Sequence, residues 1–119
     1  MWSAEGKLPD LYSAGLMRGT ALLLPPRDVP ANAKIRQIQW TWDSSRRDPW
    51  LEVLLCMPSR CLPVTRLGLG VSQAFSGEAA KVPFHWRWQV VGSGGLPTPI
   101  LGGNVSLRVD WVAPVNSVK

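Results

Sequence analysis

Cys56 and Cys61 are the only two cysteines in the chain, and they close the insert Met57-Pro58-Ser59-Arg60 between two apolar, strand-like runs. Trp50 to Cys56 leads in, Cys61 to Thr65 leads out, and the Pro58-Ser59 pair supplies a turn. Facing positions of an antiparallel hairpin hold their Cα atoms about 4.5–5.5 Å apart, within reach of a disulfide. The spacing is not the Cys-x-x-Cys of a thioredoxin-like redox pair. Two cysteines and one histidine are too few for a structural zinc. The expectation is therefore a bridged hairpin, which implies an oxidising compartment; the alternative is a pair of buried free thiols in a cytosolic protein. Closing so small a loop contributes at most about 2 kcal/mol, so the bridge trims a hairpin and does not create the fold.

A hairpin needs neighbours, and three further segments alternate like half-buried strands. Ile38, Trp40 and Trp42 share one face against Gln37, Gln39 and Thr41. Phe84, Trp86, Trp88 and Val90 share one against His85, Arg87 and Gln89, and Val105, Leu107, Val109 and Trp111 form a third such set. Thr20–Leu24, halted by Pro25-Pro26, and Leu69–Phe75 read as additional strands. With 11 Gly and 11 Pro punctuating the chain, six to seven short strands predict an all-β protein: an antiparallel β-sandwich, with a small β-barrel as the alternative. One domain over residues 1–119 is expected at this length. Residues 1–19 read as irregular with at most a short strand, Gly92 to Gly103 as a long connection, and 113–119 as a frayed tail.

Charge and composition narrow the function. The net charge is +5, but Arg46-Arg47 is the only adjacent basic pair and no basic run exists, so a nucleic-acid partner is not expected. No apolar run reaches the 18 or so residues of a membrane span. Trp2-Ser3-Ala4-Glu5 follows Met1 with no export signal, so the expected species is a mature periplasmic form in which Met1 replaces a removed signal. His85 is the sole histidine and the acids are scattered, which argues against a triad, a metal site or a glycosidase acid pair. The Gly92-Ser93-Gly94-Gly95 run lacks the Lys-Ser/Thr of a phosphate loop. A non-enzymatic protein without cofactor or metal is expected.

Seven tryptophans offer a rival reading, a cell-wall carbohydrate-binding module with exposed Trp side chains aligned as a platform. The apolar neighbours of Trp86, Trp88 and Trp111 mark those three as core, whereas Trp2 and Trp50, at element ends, are expected to be partly exposed. Loops at the ends of a sandwich commonly carry binding. The candidate partner contacts are accordingly Arg46 and Arg47 on one turn, and Leu96, Pro97 and Pro99 on the glycine-rich connection.

Residues 51–111 resemble the flagellar FlhE family. The resemblance is carried, in order, by Cys56-x4-Cys61 with Ser59-Arg60, by Ala74-Phe75-Ser76-Gly77-Glu78-Ala79-Ala80-Lys81-Val82-Pro83, and by Trp88-Gln89-Val90. The glycine-rich turn into Leu96 and Pro99 and the final alternating strand complete it. The resemblance implies a periplasmic, non-enzymatic β-sandwich that assists flagellar assembly. It implies binding to a protein of the type III export apparatus or rod, and a role in keeping protons from leaking through the export gate.

Overall fold

The computed structural model describes residues 1–114, and in these every regular element is a strand. In chain order they are β1 (Trp2–Lys7), β2 (Leu11–Ala14), β3 (Arg18–Gly19), β4 (Lys34–Thr41) and β5 (Leu51–Met57). There follow β6 (Arg60–Pro63), β7 (Leu69–Ser72), β8 (His85–Val90), β9 (Gly94–Ile100) and β10 (Asn104–Val112). All pairings are antiparallel. One sheet runs β1-β10-β4-β7, a second runs β3-β8-β5-β6, and β2 and β9 form a separate ribbon. The sheets do not close on one another, so the fold is an open sandwich and not the barrel alternative.

The core lies where inward faces meet. Ile38 and Trp40 of β4, and Val105, Leu107 and Val109 of β10, face Leu51, Val53 and Leu55 of β5 and Trp86, Trp88 and Val90 of β8. Burying side chains of this size stabilises by roughly 1.5–3 kcal/mol each before conformational entropy is charged against it. Ile35 is also buried, although its spacing from Ile38 is wrong for one strand face. The register explains it: Asp110 faces Gln37 while Trp111 faces Ile35, so Arg36 bulges and flips the strand phase.

Three sequence expectations are corrected. Residues 1–19 are not irregular; they contribute β1, β2 and β3. In β1 the inward positions are Trp2, Ala4 and Gly6, so the alternation exists but small residues hide it. The Thr20–Leu24 strand reduces to one bridge, Leu23 with Phe84, and Leu22 and Leu24 are exposed. The glycine-rich connection contains β9, which pairs with β2. It tolerates Pro97 and Pro99 because Leu96 to Pro99 bulge out opposite Tyr12, where no ladder amide is required. Of the expected tail, Ala113 and Pro114 have no regular structure and residues 115–119 lie outside the described residues.

Candidate binding surfaces

The cysteine pair forms the bridge, with Cα atoms 4.0 Å apart at facing positions of β5 and β6. Cys56 also faces His85 of β8. Burial holds the His85 imidazole below its ordinary pKa, and the Arg87 charge adds to the effect. Arg60, between the cysteines, reaches across the sandwich. Its guanidinium lies 5.2 Å from the centre of the Phe75 ring, pairs with Glu78 at 3.5 Å and donates to the Ala74 carbonyl. Two separate sequence motifs thus meet through one side chain.

The predicted contact residues divide. Arg46 donates from Nη1 to Asp48 Oδ2 at 3.0 Å and from Nη2 to the Thr98 carbonyl at 2.8 Å. Asp48 Oδ1 accepts the Trp50 amide at 2.8 Å. That backbone bond, opposed by burial and assisted by Arg46, holds the Asp48 carboxyl below the usual range. Arg46, Asp48, Leu96, Pro97 and Thr98 together line a hollow of about 450 Å³. Thus Arg46 and the adjacent Leu96-Pro97, far apart in sequence, share one surface; Pro99 is half-buried beside it and does not line it. The loop and the β9 end are stitched by Ser45 N–H to the Leu101 carbonyl at 3.0 Å and Leu101 N–H to Ser45 Oγ at 2.9 Å.

Arg47 points elsewhere. Its guanidinium lies 4.1 Å from the Trp42 ring centre and donates to the Thr65 carbonyl at 3.2 Å, on the β6–β7 connection. That connection borders a second hollow of about 420 Å³ between the edge strands β6 and β7, with Trp40 among its lining residues. The sequence offered no pointer to this surface beyond the apolar spacing of Leu67, Leu69 and Val71, which are all more than half exposed.

The tryptophans do not form a platform. Trp2, Trp40, Trp42, Trp86 and Trp88 are buried and Trp111 is partly buried, leaving Trp50 as the single well-exposed indole. Trp2 is a correction: it is 3% exposed and donates to the Ala80 carbonyl at 3.0 Å. Trp42 donates to Val64 O at 2.9 Å and Trp88 to Pro9 O at 2.8 Å, so these indoles pin loops to sheets. Among the described residues no group of three His, Cys, Asp or Glu side chains could hold a metal, and no helix is long and apolar enough to cross a membrane.

Comparison with known proteins supplies the frame for these surfaces. The sequence profile described as Flagellar protein FlhE matches residues 9–111. This chain belongs to the FlhE family. It is 32% identical over 116 residues to the flagellar protein FlhE of Yersinia enterocolitica, covering 92% of this chain and 79% of the relative. The Escherichia coli K12 FlhE is 35% identical over 101 residues, covering 84% of this chain and 75% of the relative. A crystal structure of FlhE superposes with a TM-score of 0.80 over 91% of this chain and 92% of its own, at 23% identity. The FlhE match begins at residue 9, so it takes in β2 and β3 as well as the half that carried the sequence resemblance.

Proposed function

We propose that this chain is a periplasmic accessory protein of flagellar assembly that acts by binding a protein of the export apparatus or rod, and so helps to keep the export gate from leaking protons. Membership of the FlhE family carries the flagellar part of this reading. The disulfide supports an oxidising compartment. A binding mode, as opposed to catalysis, is supported by a hollow lined by the Arg46–Asp48 ion pair and an apolar shelf of Leu96 and Pro97.

Affinity capture from envelope extracts of the flagellated host, with purified peptidoglycan as competitor, tests the reading. Flagellar export or rod components recovered despite the glycan are the expected result. Capture that the glycan abolishes would refute it in favour of a sugar-binding role. Because Arg46 and Arg47 serve different surfaces, Arg46 is tested without Arg47: Leu96→Asp with Pro97→Asp, and separately Arg46→Glu, should weaken capture, with circular dichroism verifying the fold.

A further inference from the structure

Among the described residues strand β7 is the outer strand of its sheet and pairs only with β4. The Trp42 amide donates to the Gly68 carbonyl at 2.7 Å, which sets the phase of the ladder. Trp40 with Gly70 and Ile38 with Ser72 are then the hydrogen-bonded pairs, and the N–H and C=O groups of Leu69 and Val71 point away from β4. In this phase neither amide bonds to β4, and neither has a backbone partner outside the ladder among the described residues. The side chains are equally uncovered: Leu67 is 58% exposed, Leu69 73% and Val71 58%. Such an edge is a template for another strand.

Hollows flank this edge on both sides. One, of about 330 Å³, is lined by Gln39, Thr41, Leu69, Val71, Ser106 and Arg108 among others. The other is the 420 Å³ groove between β6 and β7, whose lining includes Leu62, Val64, Arg66 and Leu67. Trp40 and Val71 belong to both. The two linings hold two arginines and no carboxylate.

We infer that β7 receives an extended segment of another protein, apolar at alternate positions and acidic at its flank, which adds as a further strand of the sheet. Backbone bonds to Leu69 and Val71 would give affinity, the two hollows would take alternate side chains, and Arg66 and Arg108 would select the acidic flank. A second copy of this chain fits worse, because it would bring another pair of arginines alongside the first with no acid to meet them. The inference rests on the protein-binding reading above but names a different surface from Arg46 and Leu96.

The test uses the whole protein and short synthetic peptides of alternating valine and threonine ending in an aspartate pair, a lysine pair, or interrupted by proline. Binding is followed by tryptophan fluorescence, and amide exchange is read residue by residue. The aspartate peptide should bind saturably, slow exchange at Leu69 and Val71 and leave β1 unchanged. The lysine peptide should bind about tenfold more weakly, and Leu69→Ser with Val71→Ser, which removes the apolar side chains without adding charge, should weaken the aspartate peptide by at least about tenfold. Absence of binding, unchanged exchange at both amides, equal affinity for the lysine peptide, or a β7-mediated dimer of this chain would each overturn it. Peptide binding without capture of flagellar components would instead count against the proposed function and leave the edge site standing.

Discussion

The sheet that contains β4 ends in two quite different edges. At β1 the outward side chains are Ser3, Glu5 and Lys7, and the strand is held by Trp2, whose indole is buried and hydrogen-bonded to Ala80. At β7 the outward side chains are Leu69 and Val71, and the inward positions are Gly70, which lies under the Trp40 ring, and Ser72. Charged side chains on an edge discourage a stray strand from adding to it, while an apolar edge invites one. The same sheet therefore guards one side and leaves the other open. The open side borders the bridged hairpin, and the guarded side is where the chain begins.

Breaking the guarded edge should have the largest effect. Trp2→Ala removes a buried indole and its hydrogen bond, and a loss of about 3–5 kcal/mol is expected in denaturant unfolding. A loss under about 1 kcal/mol would mean that β1 is not anchored by its tryptophan. At the open edge, a Cβ on Gly70 would sit 2.5 Å from the Trp40 ring. Gly70→Ala should therefore cost about 1–3 kcal/mol and weaken strand capture, since Trp40 must shift. Unaltered stability together with unaltered capture would show that the contact yields freely.

Reducing the Cys56–Cys61 bridge should cost at most about 2 kcal/mol, read as a shift in denaturant midpoint at constant slope. Because the bridge pins β6 and not β7, amide exchange should accelerate first in β6, sharpening the contrast between the groove's two walls. Exchanging the edges' chemistry is gentler. Leu69→Lys with Val71→Lys should change stability by no more than about 0.5 kcal/mol, whereas Glu5→Val with Lys7→Val should leave stability similar but promote association in sedimentation.

The smallest effect is a pH dependence on the other sheet. His85 resists protonation in the folded state, so the unfolded chain binds a proton more readily there. Its contribution is constant above about pH 6.5 and declines as the pH falls from there toward the folded-state value. His85→Gln should flatten the stability curve over that window, and Arg87→Gln should flatten it partly; a curve unchanged by both substitutions would remove the assignment. Neither change should alter the β7 edge.

Much of this architecture was readable from alternation. β4, β8 and β10 show it because their inward residues are large and apolar, and the hairpin shows it through its cysteines. β1 concealed itself because two of its three inward residues are Ala4 and Gly6, which hydropathy does not register. β9 did so because glycine and proline usually report a turn, and here they report a strand whose bulge asks for no amide. The contact residues were half legible. Arg46 and Leu96 converge because the loop after β4 is hydrogen-bonded to the end of β9, a pairing over some fifty positions that no local pattern encodes. Arg47 followed its aromatic neighbour Trp42 instead. The β7 edge was legible as a strand but not as an edge, since edge status depends on which strands fail to pair with it.

The pairing of Trp2 with Val109 joins almost the two ends of the chain. If the chain crosses a membrane N-terminus first, as the proposed function requires, β1 arrives without its sheet neighbour and waits until most of the described residues have followed. The bridged hairpin needs only a few neighbouring residues, so oxidation can run well ahead of closure. Among the described strands β10 comes last and lies between β1 and β4, so it acts as the latch, and on that route the facing edges of both stay open until it arrives.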